Sequence, residues 1–374
     1  MSLKLLHTAD LHLGMTFRNR DYPEEVREQL SEARFDTLAG LMTRANKEQC
    51  RLMIVAGDLF HRSYVAASVI KRAVETLSRF QGCVAILPGN HDYYEPYGSL
   101  WPEFKERAPE ELILLTEKKP YPLHDYGIEA VLYPAPCDAK HSPTNRLDWI
   151  KELIEKPQGK WHIGVAHGAV KGISPDFESQ YYPMEEAELA ALNLDHICLG
   201  HTHISHPDQE EADSRPFIYA GTPEPDGFDC RHQGRAWITE VEESGHSLSR
   251  LIDTGRFCFT EVHGQIRNRE DLETLQRDLA NFAKTKHTLV KLKLSGTLPE
   301  EDYNARFAAY NSLREELFYL EVDDSELSVE ITPAVIAANY PEGSFPYRLL
   351  NRLAEKDDPE ALQTAYRLVE EVRR

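Results

Sequence analysis

Short apolar runs alternate with amphipathic stretches over the first two thirds of the chain. Leu3 to Thr8 predicts a strand. Pro23 to Gln49 is rich in helix formers, with apolar residues at Leu30, Ala33, Leu38, Leu41 and Met42. Leu52 to Ala56 and Val84 to Leu87 read as buried strands, with a helix from Val65 to Phe80 between them. Further strands are expected at Leu112 to Leu115, Ala130 to Tyr133, Trp161 to Ala166, His196 to Leu199, Phe217 to Ala220 and Arg235 to Glu240. A helix is expected from Asn145 to Glu155. Strands and helices in this alternation predict an α/β fold, a layered sandwich of sheets flanked by helices.

The pattern changes near residue 256. Strand Phe257 to Val262, helix Glu270 to Ala283, strand Thr288 to Leu294, helix Glu301 to Glu315 and strands Tyr319 to Val322 and Glu326 to Ile331 predict a smaller α+β domain. Phe345 to Arg374 reads as two helices. Asp358 is placed to cap the second, with Pro359 at its first position. Leu362, Ala365, Tyr366, Val369 and Val372 share one face of that helix. The division expected is 1–255, 256–340 and 341–374.

With 374 residues the chain exceeds one small core. No apolar run reaches membrane-spanning length, and Asp10 follows the first strand too closely for a secretory signal. Six scattered cysteines form no CxxC pair, which fits reduced thiols in the cytoplasm. A formal charge of −20 argues against a non-specific nucleic-acid coat protein, while leaving room for an enzyme that grips nucleic acid locally.

Five polar clusters stand at the carboxyl ends of the expected strands: Asp10-Leu11-His12, Gly57-Asp58, Gly89-Asn90-His91-Asp92, His167-Gly168 and Gly200-His201-Thr202-His203. Alternate residues of extended chain share a face, so Asp10 and His12, and likewise His201 and His203, can reach one ion. Asp58 can bridge two cations through its two oxygens, and Asn90 offers a neutral oxygen. Mixed oxygen and nitrogen donors without thiolate suit manganese, iron or zinc. Any one cluster alone is an ordinary turn; five in succession point to a centre for two metal ions.

DxH, GD, GNHD, H and GHxH in this order resemble the calcineurin-like metallophosphoesterases. His7-Thr8-Ala9-Asp10-Leu11-His12-Leu13-Gly14, Gly57-Asp58-Leu59-Phe60-His61 and Pro88-Gly89-Asn90-His91-Asp92 look like the SbcD-type DNA repair exonucleases. The likeness is dense over residues 1–240 and beyond them rests on domain layout. It implies a manganese-dependent DNA exonuclease/endonuclease, with iron or zinc as other metals. Asp10, His12, Asp58 and His203 would hold one ion, and Asp58, Asn90, His167 and His201 the other. His91 would contact the scissile phosphate and protonate the leaving oxygen, His61 would lie near that phosphate, and Asp92 would orient His91. The resemblance further implies that 256–340 caps the centre, that the terminal helices dock on an SMC-like SbcC-type ATPase, and that a homodimer is open.

The chain departs from its relatives in two places. Gly57-Asp58 runs into Leu-Phe-His-Arg-Ser, unlike the protein-phosphatase branch. Tyr93-Tyr94-Glu95-Pro96-Tyr97 follows Asp92 where a serine is common. These tyrosines, like Tyr181 and Tyr182, either stack on an unpaired base or pack on their own domain. Arg62 is the first choice for a phosphate contact; Arg18, Arg20, Arg231 and Arg235 are others. A phosphodiesterase for cyclic or small nucleotides and an inactive scaffold are the competing readings.

Overall fold

Leu52–Ala56 is buried along its whole length, and its side chains divide by parity. Leu52, Ile54 and Ala56 join an apolar cluster with Leu3, Leu5, Leu132, Ile163 and Val165. Met53 and Val55 join another, with Leu38, Leu41 and Ile70. A strand with apolar neighbours on both faces belongs in the middle of a layered core, where each buried Leu, Ile or Val contributes about 1.5–3 kcal/mol.

The computed structural model describes residues 2–230, 232–283, 287–356 and 358–373. It divides into two compact units, Met1–Phe259 and Thr260–Arg374. The first opens with β1 (Ser2–Thr8), α1 (Glu24–Lys47), β2 (Leu52–Ala56), α2 (Ala67–Leu77), β3 (Cys83–Leu87), α3 (Leu100–Arg107) and β4 (Leu112–Leu114). There follow β5 (Tyr121–Pro122), β6 (Ala130–Ala135), β7 (Trp161–His167), α4 (Glu186–Ala190) and β8 (His196–Gly200). It closes with β9 (Glu211–Asp213), β10 (Ile218–Tyr219), β11 (Arg235–Glu242) and β12 (Ser247–Asp253).

One sheet has the order β4-β3-β2-β1-β11-β12-β9 and the other β10-β8-β7-β6-β5. β1 to β4 pair in parallel, as do β6, β7, β8 and β10. Their carboxyl ends therefore emerge on one side of each sheet. The α1, α2 and α3 helices cover the outer face of the first sheet. The outer face of the second is covered by Leu147, Ile150, Leu189 and Leu192, which stand on short helical turns.

The second unit is built on β13 (Cys258–Ile266), α5 (Arg269–Ala283), β14 (Thr288–Leu298), α6 (Glu300–Glu316) and β15 (Tyr319–Val329). Leu279, Leu292, Tyr310 and Leu313 form its core. Helices α7 (Pro333–Asn339), α8 (Phe345–Ala354) and α9 (Pro359–Arg373) make a separate cluster around Ile336 and Leu350. Asp358 accepts the Ala361 N–H at 3.0 Å, capping α9. Leu362, Ala365, Tyr366 and Val369 pack within this cluster, whereas Val372 is exposed.

Two expectations need correcting. The helix expected from Asn145 to Glu155 is a single 3-10 turn, Asp148–Glu152. The Asn145 carboxamide oxygen accepts the Leu147 N–H and turns the chain before a longer helix can start. The two strands expected at Tyr319 to Val322 and Glu326 to Ile331 are one, β15. A register shift between Lys293 and Ser295 absorbs the polar Asp324-Ser325, and Asp324 bonds to Arg306 of α6 at 2.9 Å. Among the described residues no helix is long and apolar enough to cross a membrane.

Candidate metal centre

Each cluster leaves a buried strand through a tight turn. Asp10, His12, Asp58 and His201 all have positive φ, a conformation seldom adopted by residues with a side chain. Hydrogen bonds between the loops hold it. The Asp10 N–H donates to Gly57 O (3.1 Å), His12 N–H to Asp58 O (2.9 Å) and His201 N–H to Asp10 Oδ2 (3.0 Å). A Cβ on Gly57 would overlap the His167 ring, and one on Gly89 would overlap Asp58, so only glycine lets these loops close.

Asp58 lies beside Asp10, His12 and His167, and Asn90, His201 and His203 adjoin these in turn. Asp58 Oδ2 lies 3.4 Å from His167 Nε2 and 3.7 Å from His12 Nε2. Asn90 Oδ1 is 2.9 Å from His167 Nε2 and 3.3 Å from His201 Nδ1. His203 Nε2 is 3.2 Å from His12 Nε2 and 3.9 Å from Asp10 Oδ1. Asp10, His12 and His203 form one compact donor group, and Asp10, Asp58 and His167 another. The set fits divalent ions on physical grounds: Asp10 Oδ1 is buried without a hydrogen-bond partner, and ring nitrogens from distant loops face one another.

The electrostatics say the same. Burial opposes charge on Asp58, but His167 and then His12 and His91 outweigh it and hold the carboxyl well below the usual range. Burial likewise opposes charge on His167 and His203, yet carboxylates push both up to about 9: Asp58 and Asp10 act on the former, Asp226 and Asp10 on the latter. Protons on these rings supply the positive charge that the carboxylates demand. His201, buried beside His167, is pushed down to about 3.

The His91 backbone N–H donates to Asp58 Oδ1 at 2.9 Å. Its ring stacks on His61 with centroids 5.6 Å apart, and its Nδ1 lies 3.2 Å from the His61 carbonyl. The same ring lies 4.8 Å from that of His12, centroid to centroid. The Asp92 carboxylate is engaged by the backbone. Its two oxygens accept the Phe60 and Gly89 N–H groups at 2.9 and 2.7 Å, so the carboxylate fastens the loops beneath.

The substrate candidates scatter. Arg62 is exposed and Tyr93 half-buried. Tyr94 packs on the core of the first unit, Tyr97 is fully exposed and Tyr182 is buried with its hydroxyl on Ala139. Tyr181 lies against His201 with ring centroids 5.0 Å apart. Arg18 and Arg20 are exposed; Arg235 is engaged by Asp208 at 2.8 Å. Arg231 lies outside the described residues. Sequence reasoning missed Asp226, 3.3 Å from His203 Nδ1, and Arg34, buried behind it. Arg34 carried a signal, because it sits on the apolar face of α1, four residues from both Leu30 and Leu38.

Oxygen and nitrogen donors at the strand ends of a layered α/β sandwich make a candidate centre for divalent ions, and the family match below makes the chain a hydrolase of phosphoester bonds. The chain belongs to the calcineurin-like phosphoesterase family, which matches residues 3–205. It is similar to the uncharacterized metallophosphoesterase YhaO of Bacillus subtilis, 28% identical over 79% of this chain and 69% of that protein. It is also similar to the DNA double-strand break repair proteins Mre11 of Methanopyrus kandleri and Saccharolobus solfataricus. The first is 25% identical over 60% of this chain and 49% of its own length, the second 27% over 76% and 72%.

Proposed function

We propose that the chain is a two-metal phosphodiesterase acting on DNA, an SbcD-like exonuclease/endonuclease in DNA end processing and repair. The observation that carries this reading is the clustering of seven donors, Asp58 among them, with the His91 ring beside them. The DNA repair role named for two of its relatives supplies the substrate class. We assign Asp10, His12, Asp58 and His203 to one ion and Asp58, Asn90, His167 and His201 to the other, with manganese as the metal and iron or zinc as alternatives.

Ions held by these residues would supply Lewis-acid chemistry, lowering the pKa of a water and offsetting charge at phosphorus. The protein's own groups do the rest. The His61 carbonyl accepts the Nδ1–H of His91 and fixes the ring, so that in the imidazolium form Nε2 can give its proton to the leaving oxygen. Asp92 keeps the Phe60 and Gly89 amides in place, and with them the loops carrying His61 and His91. Exposed Arg62 and half-buried Tyr93 are assigned to the substrate, Arg62 to a phosphate and Tyr93 to a base. A cytoplasmic location and an SMC-like SbcC-type ATPase partner belong to this reading. So does the use of 341–374 in docking, where Phe345, Leu368 and Val372 line an apolar groove of about 560 Å³.

The test is cleavage of labelled linear and hairpin DNA with Mn²⁺, with and without the partner. Expected is metal-dependent cleavage that falls roughly 10²–10⁴-fold in His91→Ala, a variant that keeps its ions. Hydrolysis of cyclic nucleotides or bis-p-nitrophenyl phosphate without any cleavage of DNA would sink the substrate assignment.

A further inference from the structure

We propose that Asp226 and Arg34 are positioning residues for the His203 side of the metal centre. The inference rests on the two-ion reading above and extends it to residues that no motif contains.

A histidine that holds a metal through one nitrogen needs the other nitrogen fixed. His203 Nδ1 lies 3.3 Å from Asp226 Oδ1. With that N–H donated, Nε2 keeps its lone pair for the space it shares with His12 Nε2 and Asp10 Oδ1. Asp226 is itself held, since its Oδ2 lies 3.5 Å from Arg34 Nη2. Arg34 Nη1 donates to the Leu11 carbonyl at 2.8 Å, and Leu11 stands between Asp10 and His12. One guanidinium thus ties the first donor loop to the carboxylate behind the last.

Arg34 has no exposed surface, so it cannot reach a phosphate in solvent. A buried guanidinium is costly unless paired, and its partners here are these two loops. His203 is gripped from the backbone as well. The Gly234 N–H donates to His232 Nδ1 at 3.0 Å, which leaves the His232 Nε2–H to donate to the His203 carbonyl at 2.9 Å. The ring and the main chain of His203 are therefore oriented by separate groups.

The experiment is a Mn²⁺ titration of the full chain, followed by calorimetry and by electron paramagnetic resonance. Wild type should bind two ions as a spin-coupled pair. Asp226→Asn should weaken one ion roughly 10–100-fold and leave the other, giving the signal of an isolated Mn²⁺. Arg34→Met should weaken the same ion by a smaller factor, and Asp226→Glu should restore part of the loss. Should Asp226→Asn fold poorly, Arg34→Met/Asp226→Asn, which buries no unpaired charge, takes its place. Two ions bound by Asp226→Asn as tightly as by wild type would overturn the inference. So would equal weakening of both ions in step with a falling Tm. Failure of wild type to bind two ions would instead overturn the two-ion reading.

Discussion

His196, facing the layer between the two sheets, and His167, at the end of β7, are equally hidden from water. Burial pushes His196 down to about 4. His7, buried nearby and further lowered by His196, goes down to about 3. His167 moves the other way, up to about 9, because Asp58 and Asp10 overcome burial. No carboxylate is among the groups acting on His7 or His196. Depth alone keeps an imidazole neutral; at His167 the carboxylates outweigh depth, whereas at His12, also beside Asp58, burial prevails and holds the ring well down. At the strand ends positive charge is therefore favoured at His167 and His203 and disfavoured at His12 and His201, while between the sheets it is disfavoured at both His7 and His196.

The most severe way to break this contrast is Asp58→Asn, which removes the carboxylate beside His12 and His167. Phosphodiester hydrolysis is expected to fall roughly 10³-fold, about 4 kcal/mol of transition-state stabilisation, with loss of bound metal measured on the same sample. A variant that keeps both ions and full activity would remove Asp58 from the heart of the site.

His196→Leu tests the other side. In the metal-free protein the unfolded chain takes up a proton near pH 6.5, while folded His196 resists until about pH 4. Its contribution is thus complete above about pH 6.5 and lost as pH falls through that window, by up to about 1.4 kcal/mol per pH unit. Urea unfolding at several pH values should show wild type losing stability towards pH 4 more steeply than His196→Leu. Parallel slopes would mean that His196 is not held neutral. The smallest effect belongs to charges outside both regions. Lys71→Ala, which breaks an exposed pair with Glu75, should shift stability by less than about 0.5 kcal/mol.

How much was legible in the chain follows from the same contrast. Apolar runs such as Leu52–Ala56 announce their burial, and polar clusters directly after them mark the strand ends. The β12 strand (Ser-Leu-Ser-Arg-Leu-Ile-Asp) escaped because it mixes polar and apolar residues on a sheet flank. The α3 helix escaped because only Leu100, Trp101 and Phe104 of its eight residues are buried. Donors that face an ion come in recognisable pairs. The groups behind them do not: Asp226 lies in a Pro-Asp-Gly turn, and Arg34 is one of many charges on α1. The backbone contacts of Asp92 with Phe60 and Gly89 are likewise invisible from its place beside His91 in the sequence.

The positive-φ turns at Asp10, His12, Asp58 and His201 have a consequence for the motion of the centre. Each is cross-braced by amides of another loop, so none can relax without breaking bonds that the others share. Opening is therefore collective: the loops loosen together or stay shut together. Loops braced in this way would leave little ordering entropy to be lost on binding a ligand.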